Sequence, residues 1–124
     1  MQSREAGFGA ALPIDGYGPG FFRIAGAVHP GGLLIRAEAA SAWTGFDDLA
    51  ALRALAGQVD LLLCGMGADI AHLPKGLQVE LEALGLLAEP MSTPAAARHY
   101  NVLLSEGRRV GAALLPMPGA VPTA

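Results

Sequence analysis

Val59-Asp60-Leu61-Leu62-Leu63-Cys64-Gly65-Met66-Gly67 is the stretch on which the fold turns. Its centre is an unbroken apolar run, the pattern expected of a strand covered on both faces. Strands of that kind sit in α/β sheets, and the two glycines beyond it mark an abrupt exit. Downstream, Leu77, Leu81 and Leu84 recur at i, i+4 and i+7 with Gln78, Glu80 and Glu82 between them, predicting a helix over 74–84 that Gly85 closes. Leu86-Leu87-Ala88 opens the next strand and Pro90 closes it. Strand, helix and strand in so short a span predict one βαβ unit with parallel strands.

Working outward from that unit, Ser92-Thr93-Pro94 starts a further helix, with Thr93 as N-cap and Pro94 at the first helical position. Ala96, Tyr100, Leu103 and Leu104 form its apolar stripe, Gly107 stops it, and Val110–Leu115 reads as a last strand. On the other side, Thr44 and Asp47 have capping-box spacing ahead of Phe46, Leu49, Leu52, Leu55 and Ala56, a helix ended by Gly57. Residues 36–43 admit either helix or strand. Before them, Phe21–His29 and Leu33–Ile35 flank Pro30-Gly31-Gly32 and read as a β-hairpin. Residues 1–20 hold five glycines with Pro13 and Pro19, so ordering them costs much backbone entropy for few apolar contacts. The expected molecule is a three-layer single α/β domain over 21–117, with a mixed central sheet, an N-terminal β-hairpin and about three helices. A flexible arm over 1–20 and a disordered tail over 118–124 flank it.

Composition removes several function classes. The chain has 124 residues, 52% hydrophobic and 15% charged, which excludes disorder driven by charge. Eight Lys+Arg against eleven Asp+Glu give a net charge of −3, with Lys75 the only lysine, unsuited to tracking nucleic-acid phosphates. The single cysteine, Cys64, excludes an internal disulfide or a multi-cysteine zinc site. Asp60 and Asp69 bracket the central apolar run, so no membrane insertion is expected. The opening Met1-Gln2-Ser3-Arg4-Glu5 resembles neither a signal peptide nor a transit peptide, and a cytoplasmic location is expected.

Three features could carry chemistry. The Gly65-Met66-Gly67 turn lies where open α/β sheets bind ligands, and glycines there let a ligand approach the backbone. The dinucleotide fingerprint fails because Ile70 stands where a third glycine belongs, and the phosphate-loop ending is missing. A tight strand exit explains the same glycines. Thr93, Ala97 and Asn101 form a second stripe on the last helix, either a cap plus a solvated asparagine or a face left for a partner or ligand. Glu106 opposes the helix dipole, and a Glu106 clamp to Arg108 or Arg109 would offset that. Asp69, His72 and Cys64 lack metal-ligand spacing, so no metal is expected. Cys64 reads as a core residue, and no serine sits in a nucleophile elbow.

Taken in order, Tyr17-Gly18-Pro19-Gly20-Phe21, Gly65-Met66-Gly67, Thr93 with Ala97 and Asn101, and Glu106-Gly107-Arg108 resemble the small α/β domain family of mitochondrial complex I (NADH:ubiquinone oxidoreductase) assembly factor 3 and its bacterial and archaeal homologues. The resemblance spans residues 14–117. It implies a compact three-layer domain with a mixed central sheet and, for the mitochondrial member, a non-enzymatic role in assembling complex I alongside another assembly factor; for most bacterial members it implies the fold alone. It carries over a surface made of Gly65, Gly67, Thr93, Asn101, Glu106 and Arg108, and Asp69 is counted with these as a candidate ligand- or partner-binding residue. The resulting expectation is a protein-interaction domain, with no catalytic residue and no cofactor, whose partner is a respiratory-complex subunit or assembly factor. Two rivals stand beside it. One is a small-molecule or anion-binding enzyme using the Gly65-Met66-Gly67 loop and the N-terminal face of the last helix; the other is self-association.

Overall fold

The central apolar run forms β6 (Leu61–Gly65), and its neighbours follow from it. In the computed structural model, which describes residues 11–121, the elements run β1 (Gly16–Gly18), β2 (Phe21–Ile24), β3 (Ala27–Pro30), β4 (Gly32–Arg36), β5 (Ala39–Trp43), α1 (Leu49–Arg53), β6, α2 (Leu77–Ala83), β7 (Leu87–Met91), α3 (Thr93–Ser105) and β8 (Val110–Leu114). A five-stranded sheet has the order β5-β4-β8-β6-β7. β6 is parallel to both β7 and β8, and β4 is antiparallel to β5 and β8, so the sheet is mixed, as expected. Pro90 does not end β7. It pairs in register with Cys64 because β7 is an edge strand, and the missing N–H takes nothing from an inner ladder.

Alternation along the strands divides the core in two. Leu33, Ile35, Leu63, Ala112 and Leu114 face α3 and the smaller sheet, joining Phe22, Ile24, Ala96 and Tyr100. Leu62, Cys64 and Ala113 face the other way, against Leu52 and Leu55 around α1 and Leu77 and Leu81 of α2. The molecule is thus a single three-layer α/β domain. Both longer helices end in a Schellman motif, with Gly85 N–H donating to Glu82 and Leu86 N–H to Leu81, then Gly107 to Leu104 and Arg108 to Leu103. Helix α1 is shorter than its sequence pattern. Its N-cap is Asp48, whose carboxylate accepts from Ala51 N–H at 3.3 Å, whereas Thr44 donates to Asp47 at 2.8 Å and closes the loop before the helix.

The N-terminal hairpin exists with a different turn. It reverses at Ala25-Gly26, both at positive φ (51° and 81°), between β2 and β3. At Pro30-Gly31 the chain instead crosses into the five-stranded sheet, where β4 pairs with β5 and β8. Residues 36–43 resolve as the end of β4, a turn at Ala37-Glu38, and β5. The arm reading does not hold for residues 11–20: β1 pairs with β2, and Ile14 is 5% exposed. Near the other end, Met117 bridges Pro19 and its carbonyl accepts from Gly20 N–H at 3.0 Å, so residues 117–121 lie beside β1 rather than free. The rest of the expected arm and tail, 1–10 and 122–124, lies outside the described residues.

Candidate functional site

The parallel strands β6, β7 and β8 deliver their carboxyl ends to one place, where an open α/β sheet commonly leaves a ligand crevice. Here the space is filled by the chain. Met66 N–H donates to Met91 at 2.8 Å and Leu115 N–H to Gly65 at 2.8 Å, tying the exits together. Thr93, fully buried, completes the lacing. Its N–H donates to Gly67 at 2.7 Å, its Oγ1 accepts from Gly67 N–H at 2.9 Å, and the same hydroxyl donates to Leu115 at 2.7 Å. Gly65 is glycine because α3 crosses directly over it: a Cβ there would lie 2.7 Å from Leu114 Cδ2 and 3.0 Å from Thr93 Cα. The two chain reversals read from the sequence therefore converge, but as an interior knot.

That knot removes the anion cradle expected there. The N-cap is Ser92, not Thr93, and its Oγ accepts from Ala95 N–H at 3.3 Å; Thr93 and Pro94 are the first two helical residues. Thr93 N–H is engaged by Gly67, Pro94 has none, and Ala95 N–H is capped. With Gly67 N–H held by the Thr93 hydroxyl, neither the glycine turn nor the helix start offers these donors to a ligand.

The stripe Thr93-Ala97-Asn101 is also not open along its length. Thr93 and Ala97 are buried, and Asn101 clamps the chain before β1: its Oδ1 accepts from Ile14 N–H and its Nδ2 donates to Ile14 C=O, both at 2.8 Å. The amide stands in for a neighbouring strand, satisfying both polar groups of one backbone residue. The preceding residue, Tyr100, donates its hydroxyl to Leu12 at 2.9 Å, and burial, then the Glu38 carboxylate, pushes its phenol pKa up. Beside the clamp a groove of about 350 Å³ remains between β1 and α3, bordered by Tyr17, Ala97, Arg98, Asn101 and Val102. Tyr17 and Val102 are 43% and 50% exposed, and Tyr17 also borders an apolar hollow with Pro19, Met117 and Pro118.

The remaining candidates lie elsewhere. Asp69 is exposed in the loop after β6. Glu106 and Arg108 sit past the far end of α3, about 20 Å from Thr93 at the helical rise of 1.5 Å per residue. The expected Glu106–arginine clamp does not form among the described residues. Arg109 faces Asp60 instead, with its Nε 3.7 Å from the carboxylate, and donates to Gly57 C=O at 2.7 Å. Glu106 needs no counter-ion there, because N–H groups from residues 106–108 already meet the carbonyls of Val102, Leu103 and Leu104. Cys64 is buried, and burial pushes its thiol up to about 12, far from a nucleophile's range. No group of three or more potential metal ligands occurs among the described residues. Not singled out as site residues in the sequence are Ile14 and Tyr17 and, at the far end of α3, Arg36; the apolar Leu12 and Ile14 inside a Gly/Pro-rich stretch were the sign that it packs.

A family model described as "Protein of unknown function (DUF498/DUF598)" matches residues 14–115. The chain is 90% identical to an uncharacterized protein of Rhodobacter capsulatus over 124 residues, the whole of both chains. It is 30% identical over 125 residues to NADH dehydrogenase (ubiquinone) 1 alpha subcomplex assembly factor 3 of Danio rerio, covering 95% of this chain and 71% of that one. Among solved structures, that of an outer membrane protein from Bartonella henselae matches with a TM-score of 0.80 at 33% identity, over 89% of this chain and 98% of that one.

Proposed function

This chain belongs to the DUF498/DUF598 family of proteins of unknown function, and from that membership we propose that it is a non-enzymatic protein-interaction domain, acting in the cytoplasm, that assists assembly of respiratory complex I. The observation that carries the proposal is the similarity to the Danio rerio assembly factor across nearly the whole chain. The strand-end chemistry agrees with it. An enzyme using the Gly65-Met66-Gly67 loop would have to displace the Thr93 hydroxyl from both of its buried partners before a ligand could enter. What the domain does offer outward is the groove between β1 and α3, with Tyr17 and Val102 as apolar anchors, Arg98 and Asp15 as charged borders, and Asn101 holding its wall. The partner it fits is a respiratory-complex subunit or a second assembly factor that lays an apolar side chain against Tyr17 and Val102. No described helix is long and apolar enough to cross a membrane, so this reading has the domain meet its partner through a surface.

The test is genetic and biochemical together. Deleting the gene should lower mature complex I on native gels and leave subcomplexes behind. Val102→Glu and Tyr17→Glu, both at exposed positions, should fold normally yet fail to restore the complex. Normal complex I in the deletion strain, with no complex I subunit or assembly factor retained by the tagged protein, would falsify the proposal.

A further inference from the structure

The far end of α3 holds a second concavity, built quite differently from the docking groove. It has a volume of about 330 Å³, and its lining includes three arginines, Arg36, Arg108 and Arg109, with one acidic residue, Glu38. Three of the chain's eight Lys+Arg border this one hollow, although the net charge is −3. Like charges gathered on one surface repel, and a bound anion would relieve that repulsion.

Each arginine sits on an ordered piece of backbone. Arg36 is the last residue of β4, in register with Gly111 of β8. Arg108 follows Gly107 in the Schellman motif, with its N–H bonded to Leu103 at 3.0 Å. Arg109 immediately precedes β8 and is anchored to Gly57 C=O. The floor is apolar, made by the buried Val59, Leu104 and Val110, which lowers the local dielectric and strengthens any charge interaction above it. The α3 carbonyls that would otherwise repel an anion are already met by N–H donors.

The carboxylates present are weak competitors. Glu38 pairs with Arg36, yet its side chain is 75% exposed and can swing into water. Asp60 faces Arg109 from 3.7 Å and is 73% exposed. Arg108 has no side-chain hydrogen bond or ion pair among the described residues.

We propose that this hollow is a binding site for a small oxyanion, a phosphate or carboxylate group, held by Arg108 and Arg109 and by Arg36 once Glu38 has been displaced. Planar guanidinium forks match the paired oxygens of either group, which is why arginines rather than lysines suit such a site.

Amide chemical shifts of the full-length chain, titrated separately with inorganic phosphate and with succinate at constant ionic strength, test this. At least one of the two should give saturable shifts at residues 36–38, 57–59 and 107–110, and which one responds separates phosphate from carboxylate. Glu38→Gln releases Arg36 and should tighten the dissociation constant by about two- to five-fold, the range expected for an exposed ion pair. Arg108→Gln should weaken it by about ten-fold while leaving the free protein's spectrum unchanged away from the hollow. The proposal is overturned if neither salt saturates, if chloride alone reproduces the shifts, or if Glu38→Gln leaves binding unchanged or weaker.

Discussion

Replacing Thr93 by valine probes the knot at the strand exits with little change in shape, since valine keeps the branched outline and loses only the hydroxyl. In the native chain that hydroxyl accepts from Gly67 N–H at 2.9 Å and donates to Leu115 C=O at 2.7 Å, at a position with no solvent exposure. Valine deletes both bonds and leaves two backbone groups without partners. At about 1 kcal/mol for each bond and a further desolvation cost for each orphan, the expected loss is about 2–4 kcal/mol. That is a large part of the roughly 5–15 kcal/mol that holds an ordinary domain together. Thr93→Ser keeps the oxygen and removes one methyl, so it should cost only about 1 kcal/mol. The single tryptophan, Trp43, is 2% exposed and reports global unfolding in urea by its fluorescence. Amide exchange at Gly67 reports the local bond. The reasoning is refuted if Thr93→Val lies within about 0.5 kcal/mol of the parent, the range of an uninvolved surface change. It is equally refuted if serine is as damaging as valine, since the methyl rather than the hydrogen bonds would then carry the effect.

Other perturbations test neighbouring parts of the same account. Gly65→Ala forces a methyl to within 2.7 Å of Leu114 Cδ2 and 3.0 Å of the Thr93 backbone, so urea unfolding should show a loss of about 1–3 kcal/mol. Asn101→Ala orphans both polar groups of Ile14; it should cost about 1–3 kcal/mol and speed amide exchange at Ile14 while the five-stranded sheet stays protected. For Cys64, a folded-state pKa raised from 9.0 to about 12 stabilises the fold fully below pH 9 and progressively less as pH rises toward 12. Its thiol should accordingly resist disulfide reagents at pH 8 in the native protein and react at once in urea. The Glu80 carboxylate is held below its ordinary range by its hydrogen bond and ion pair with Arg53. Its contribution is therefore present above that range and lost in acid, and Glu80→Gln should flatten the acid limb of a stability-versus-pH curve.

The elements that could be read in advance were those whose burial writes itself into local spacing. The Leu61–Cys64 run, the i, i+4, i+7 leucines of α2 and the glycines at 85 and 107 each carry their signal within a few residues, and each stands where expected. Long-range partners were not readable. Whether β4 pairs with β3 or with β8 depends on which surface covers Leu33 and Ile35, and no window around Pro30 contains that information. The same limit explains the arm. Glycine and proline content argued against order before β2, but Ile14 and Leu12 gain their hydrogen-bond partners from Asn101 and Tyr100, far along the chain. Of the candidate residues, Gly65, Gly67 and Thr93 were rightly placed together, yet polar type alone could not distinguish a hydroxyl facing a ligand from one bonded inward.

The consequence for function follows from where the polar groups of α3 are directed. At its start, Ser92 caps the helix and Thr93 joins the strand exits, so the positive end of the dipole is enclosed. Along its length, Tyr100 and Asn101 turn inward to hold the chain ahead of β1. Among the described residues, two concavities border this helix: the groove beside Val102, with apolar and polar lining in similar measure, and the hollow past Leu104 lined by arginines. Those are separated along the helix, differ in chemistry and share no lining residue, so one can be occupied without the other. The crevice common at such strand ends is closed here by the Thr93 hydrogen bonds. Under the proposed interaction role, recognition falls to the outer faces of the domain.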